Sequence, residues 1–203
     1  DSLHTIHSDE SDDMDGFAKS LCLGTNGNLW VGTEGSGLYE IDLQGLKVID
    51  RYLPNPQTGE GLSNRRITDL VPDKHGKLWI ATDGGGLNYF DPSTDEWKHF
   101  GYQPEFLNSL NSDALYDLMF DSSNNLWIGT FNGGINLHKT VFPPFVMDRQ
   151  YALERLEGLR SVLCLDQDKD GNVWMGTDGG GLFQLDVQKK PVKLVSIEKS
   201  SKR

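Results

Sequence analysis

The chain holds 203 residues, with 19 Lys and Arg against 30 Asp and Glu and a formal net charge of −11. Such a balance opposes phosphate backbones, and no basic stripe interleaved with aromatics offsets it, so nucleic acid is set aside as a partner. There is no run of about 18 apolar residues and no signal-peptide pattern, so no membrane-spanning segment is expected within this sequence.

In chain order, Leu3-His-Thr-Ile-His7 reads as a short strand and the acidic run from Asp9 to Asp15 as a solvated loop. Next come an apolar stretch (Ala18 to Leu23), a tight connection ending at Gly27, the segment Leu29-Trp30-Val31-Gly32-Thr33, a glycine cluster (Gly35, Gly37) and a less regular strand, Lys47 to Tyr52. The same order returns as Ile67 to Val71, Asp73 to Gly76, Trp79, Gly84 to Gly86, a strand through Leu87-Asn-Tyr-Phe-Asp91, and Trp97 to Tyr102. It returns again as Leu115 to Phe120, Asp121 to Asn124, Trp127, Gly133/Gly134 and Pro144 to Met147. The last copy runs Val162 to Leu165, Asp168 to Gly171, Trp174, Gly179 to Gly181 and Val192 to Ile197. Trp30, Trp79, Trp127 and Trp174 are separated by 49, 48 and 47 residues, the mark of a structural repeat.

Each part has a physical purpose. Asp at the first and Gly or Asn at the fourth position of the tight connection are type I turn preferences between antiparallel strands, with Gly24 in place of Asp in the first copy. The small residue two after each Trp (Gly32, Ala81, Gly129, Gly176) shares a strand face with the indole and leaves room for a neighbouring sheet. Four short strands per unit, apolar on both faces of the inner ones, describe an all-β fold of β-propeller blades. Burying a Trp-sized aromatic contributes about 1.5–3 kcal/mol, so a lone sheet with one wet face is a poor solution and stacked neighbours are required. Helical repeats need a 3.6-residue period and tolerate few of the 23 glycines. The expected units are 18–52, 67–102, 115–148 and 162–198, preceded by an outer strand and acidic loop over 1–17 and followed by a tail at 199–203.

The string Gly61-Leu-Ser-Asn-Arg-Arg-Ile-Thr-Asp-Leu-Val-Pro-Asp-Lys-His-Gly-Lys-Leu-Trp-Ile-Ala-Thr-Asp-Gly-Gly-Gly-Leu-Asn-Tyr-Phe-Asp-Pro92 resembles the repeat of two-component regulator propellers, and the likeness extends over all four units. Ala81 for Gly, Gly24 for the turn Asp and Phe131-Asn132 for Asp-Gly depart from the pattern. The resemblance implies a fragment of a seven-bladed propeller in the periplasmic sensor region of a hybrid histidine kinase of the Bacteroidetes type. It implies an oligosaccharide or other small molecule as ligand, no cofactor, and a kinase outside this chain. Four blades of a larger ring would leave apolar faces open, so self-association through the blades is expected. A structural or dimerisation scaffold, with the ligand held elsewhere, is the alternative; a glycan-cleaving propeller is the third reading.

Several apparent active sites have structural readings instead. Asp166-Gln-Asp168-Lys-Asp170-Gly171 resembles half a calcium loop, but Thr177 stands where a bidentate acid belongs. The five histidines show no metal-ligand spacing beyond His4 and His7, and no helix follows the glycine clusters to make a phosphate loop. Cys22 and Cys164 read as buried free thiols. The binding expectation rests on long connections, Leu53 to Arg66, Gln103 to Asp113 and Asp148 to Arg160, where binding groups accumulate on a rigid scaffold. Arg65, Arg66, Tyr151, Arg155 and Arg160 are the candidates from these loops, and Glu34, Asp83, Phe131 and Asp178 from the glycine loops beside them. No catalytic or metal-binding residue is expected.

Overall fold

A computed structural model describes residues 17–106, 108–139, 161–185 and 192–195. The first sheet is β1 (Ala18–Leu23), β2 (Leu29–Thr33), β3 (Leu38–Asp42) and β4 (Lys47–Tyr52), and the second is β5 (Ile67–Pro72), β6 (Leu78–Thr82), β7 (Leu87–Asp91) and β8 (Glu96–Phe100). The third contains β9 (Leu115–Phe120), β10 (Leu126–Thr130) and β11 (Gly134–His138), and the fourth β12 (Val162–Gln167), β13 (Val173–Thr177), β14 (Gly181–Leu185) and β15 (Val192–Val195). Strands are hydrogen-bonded in chain order throughout. The expected outer strand at Pro144 to Met147 lies outside the described residues, as does the stretch 1–16. β8 stops at Phe100 rather than at Tyr102, because Tyr102 leaves the sheet to bridge Leu110.

The turn chemistry is as the residue types require. Gly27, Gly76, Asn124 and Gly171 donate their N–H to the carbonyls of Gly24, Asp73, Asp121 and Asp168 at 2.8–3.0 Å, each in the left-handed conformation. That is a type I turn closed by a left-handed residue, a common hairpin connection. A register shift recurs at the start of the inner strand in the first, second and fourth sheets, at Ala18/Ser20, Ile67/Asp69 and Val162/Cys164. Such a bulge adds local twist.

The described chain falls into two compact units, the first carrying β1 to β8 with Asp113–Leu115 and the second the rest. In the first unit, Trp30 from one sheet packs with Ile67, Leu70, Leu78, Ile80 and Phe90 from the other. A Cβ on Gly32 would stand 2.5 Å from Ile67 Cγ2 and 2.7 Å from Leu70 Cδ2, so the small residue beside the indole does admit the neighbouring sheet. In the second unit Trp127 packs with Val162, Val173, Met175 and Phe183, and a Cβ on Gly129 would stand 2.8 Å from the Val162 carbonyl oxygen. Trp30, Trp79 and Trp127 are buried as expected, whereas Trp174 is half-buried. No further described sheet of its unit lies on that side of the fourth sheet.

Polar ties accompany this packing. The Ser20 hydroxyl donates to Asp69 at 2.6 Å and accepts from the Leu70 N–H at 3.1 Å. Asp117, at the equivalent place in the third sheet, accepts from the Leu165 N–H at 2.5 Å. Cys164 occupies this position in the fourth sheet, and it corrects the expectation of two buried thiols. Both cysteines are free, but Cys164 is exposed, since no sheet of its unit covers it as the second sheet covers Ser20. Cys22 packs against the first core, and burial, aided by the Asp69 carboxylate, pushes its thiol up to about 12. A raised thiol pKa keeps Cys22 protonated at about pH 8–9, where thiol reagents act. Cys164 is therefore expected to be labelled rapidly by a maleimide, and Cys22 only after denaturation. Mass spectrometry of Cys22→Ser and Cys164→Ser checks this, and fast labelling of Cys22 in the native chain would contradict it.

Candidate functional site

The long connection after β4 is built largely to hold itself. Pro54 bridges Gly61, Asn55 accepts from Gln57 and Thr58 through its side chain, and Leu62 enters the core with 2% of its surface exposed. Ser63 N–H donates to Asn88 at 2.8 Å, and the Asn88 amide returns a bond to the Ser63 hydroxyl at 2.9 Å. The Asn64 amide reaches the Asp83 carbonyl at 2.9 Å. Gly35 and Gly37 of the first sheet donate to the Arg65 carbonyl at 3.2 and 3.0 Å, and Gly84 and Gly86 of the second donate to the Asp113 carbonyl in the same way. Each glycine loop is thereby tied to the residue that leads into the next inner strand.

This anchoring leaves the Arg65 and Arg66 side chains exposed. Arg66 lies 3.0 Å from Asp83 and 3.9 Å from Glu34, and Glu34 is 3.0 Å from Lys19, so Glu34, Arg66 and Asp83 do converge, as one row of alternating charge. Exposed ion pairs contribute about 0–1 kcal/mol, so opening them to a hydroxyl or carboxylate costs little. In the second unit Phe131 is exposed and meets Tyr116 edge-on at 6.1 Å, and Asp178 is exposed with its N–H donated to the Ser161 carbonyl. Tyr151, Arg155 and Arg160 lie outside the described residues.

Two structural roles escape a reading by residue type. First, the turn aspartate holds the indole as well as the turn. Asp121 accepts from the Ser123 and Asn125 N–H groups through one oxygen, and from Asn125 Nδ2 and Trp127 Nε1 through the other, both at 2.9 Å. Asp168 repeats this with Asp170, Asn172 and Trp174. The Asp-x-x-x-Asn-x-Trp spacing carries the signal; Lys77 stands at the Asn position in the second sheet, where Asp73 accepts from the His75 and Lys77 N–H groups and from the Tyr89 hydroxyl at 3.4 Å. Second, Thr33, Thr82, Thr130 and Thr177 each donate a hydroxyl to the carbonyl four residues on, at 2.8–3.0 Å, which pins the glycine loop.

Asp168 is consequently spent on the turn and the indole. Among the described residues no group of three His, Cys, Asp or Glu is placed to hold a metal ion, and no helix is long and apolar enough to cross a membrane. The Asn172 amide, then the Trp174 indole, hold the Asp168 carboxyl at about 2, below its ordinary value, against the opposing effect of partial burial. With the folded pKa depressed, its stabilising effect is full above the unfolded carboxyl value of about 3.9 and is lost as pH falls through the folded one. The Trp174 indole N–H resonance is expected to hold its position down to about pH 4 and to shift as pH approaches about 2. In Asp168→Asn that titration should vanish; its persistence would assign the event to another group.

A model described as two component regulator propeller matches residues 61–84, 109–132 and 157–179. The extracellular domain of the B. thetaiotaomicron hybrid two component system BT3049 is 23% identical with a TM-score of 0.81, over 97% of this chain and 26% of that one. The corresponding domain of BT4673 from the same organism is 24% identical with a TM-score of 0.73, over 89% of this chain and 25% of that one. The computationally designed Ika4 protein is 14% identical with a TM-score of 0.59, over 96% of this chain and all of that one. These likenesses establish the fold, and the chain spans about a quarter of the length of the two natural domains. No curated protein matches it.

Proposed function

We propose that these sheets, three segments of which match a model described as two component regulator propeller, belong to the non-catalytic, periplasmic input region of a hybrid two-component receptor and contact an oligosaccharide or similar polar ligand at their rim. The observation that carries the reading is the Glu34–Arg66–Asp83 row with Arg65 beside it, charged groups facing solvent on a loop pinned to two sheets. A fixed base under exposed donors and acceptors suits recognition of hydroxyls and carboxylates. Calorimetric titration of the chain with neutral and acidic oligosaccharides tests it. Saturable binding, weakened about tenfold by Arg65→Ala or Arg66→Ala, is the expected result. Absence of binding, or binding indifferent to both substitutions, would refute the rim as the contact.

The scaffold reading is favoured by a different feature, the apolar flank of β1. Phe17, Leu21 and Leu23 are 81%, 60% and 62% exposed there. Self-association through blade faces would cover them. Light scattering should then show concentration-dependent dimers that Leu21→Asp with Leu23→Asp abolishes; a monomer at every concentration would remove this reading. Catalysis forms no part of either, because the recurring Asp, Thr, Gly and Trp residues are committed to turns, loop pins and close packing. Metal-independent glycoside cleavage by the chain, lost on substituting a single loop carboxylate, would overturn that.

A further inference from the structure

A groove of about 660 Å3 lies along the outer strands of the first unit, between β4 and β8 and under the first part of the loop that joins β4 to β5, the same connection that carries Arg65 and Arg66 at its far end. Its lining includes Tyr52 and Trp97 together with Asp50, Glu60, Asp95 and His99. Trp97 stacks on Phe90 with centroids 4.0 Å apart and planes 16° apart, and Tyr52 leans on it at 5.9 Å. One indole face is thus covered, and Trp97 is half-buried where it lines the groove.

Carboxylates outnumber cations around these rings, with Asp50, Glu60 and Asp95 against Arg51. Arg51 also lines the groove, but its Nε donates to the Ser36 carbonyl at 3.0 Å and its guanidinium lies 5.2 Å over the Tyr39 ring. His99 Nε2 is 2.6 Å from the Gly61 carbonyl, where it donates and holds the loop down. Asp50, Glu60 and Asp95 make no ion pair among the described residues. The field of Asp50 and Asp95 is felt at the Tyr52 hydroxyl, whose pKa is raised first by burial and then by Glu40, Asp50 and Asp95. Tyr52 therefore stays a neutral ring with its hydroxyl directed at Glu40, 3.4 Å away. Electron-rich aromatic faces beside unpaired carboxylates attract a weakly hydrated cation by ring quadrupole and by charge together. A metal ion is a poor fit, since these carboxylates form no ligand cluster.

We propose that this groove is a binding site for a small organic cation, an alkylated or primary ammonium group, held against Trp97 and Tyr52 with Asp50 and Asp95 as its counter-charges. The site shares the 53–66 connection with the rim but uses none of Glu34, Arg65, Arg66 or Asp83.

Choline, titrated into the full chain and followed by calorimetry and by the choline methyl proton resonances, is the probe. Saturable binding with upfield ring-current shifts is expected, and the neutral tert-butyl isostere of choline should bind about tenfold more weakly or not at all. Asp50→Asn with Asp95→Asn, isosteric changes on the surface, should weaken choline about tenfold while circular dichroism is unchanged. Trp97→Phe should keep the stack on Phe90 and reduce the ring-current shift. No saturable binding of choline, equal binding of the isostere, or indifference to the paired Asp→Asn change would overturn the proposal. So would tighter binding of a neutral disaccharide at the same residues, which would make the groove a polyol site.

Discussion

Trp127→Ala is expected to destabilise the second unit by about 3–5 kcal/mol, the range for truncating a fully buried aromatic. Trp127 has no exposed surface and packs with Val162, Val173, Met175 and Phe183. Collapse into the gap is limited, because the third and fourth sheets already approach closely at Gly129 and the Val162 carbonyl. A second loss adds to the cavity: Asp121 would keep a carboxylate oxygen that the indole N–H had satisfied at 2.9 Å. Single domains are stable by about 5–15 kcal/mol, so the variant should unfold at much lower urea and could fail to fold near body temperature. Trp127→Phe serves as the control, keeping most of the packing while losing the N–H. A Trp127→Ala chain with the wild-type urea midpoint would refute packing between sheets as the source of stability.

Leu62→Ala is expected to cost about 2–5 kcal/mol, a large effect for a residue in a loop. Leu62 is buried with Trp30, Ile67 and Leu70 in the first core, and it is the point at which the connection from β4 is pressed onto both sheets. Its loss should therefore be felt at a distance. The Gly35 and Gly37 amides donate to the Arg65 carbonyl, three residues along, and should exchange with solvent faster in the variant. Hydrogen exchange together with a urea titration reads both effects. Unchanged protection of these amides, even with lowered stability, would show that the glycine loop is held without the plug.

The blade architecture is legible because its requirements are local. An alternating apolar pattern, a four-residue turn with Asp and Gly, and a small residue beside Trp each state a need that any chain would meet in the same way, and β1, β2, β5, β6, β9 and β10 fall where those patterns lie. What is not legible depends on partners far along the chain. Cys164 and Ser20 hold equivalent places in their strands, yet one is exposed and the other buried, because coverage belongs to the neighbouring sheet. The pairing of Asp121 with the Trp127 indole needs the turn to be folded before the six-residue spacing has meaning. Among the rim candidates, residue type identifies charged loop groups but not that Arg66 is shared between Glu34 and Asp83, a contact made by three separate segments. The groove beside Trp97 draws on two outer strands whose sequences carry no motif, so it emerges only with the fold.

The fastening of the 53–66 connection also has a mechanical meaning. The Arg65 carbonyl holds two amides of the first sheet, while the Asn64 side chain holds a carbonyl of the second. A pull on the loop loads these bonds side by side, as rivets are loaded in shear, instead of peeling them one after another. Bonds loaded in parallel share the force and fail together at a higher threshold. A tug or torque from anything gripping Arg65 and Arg66 would accordingly reach both sheets at once, with little slack taken up by the loop.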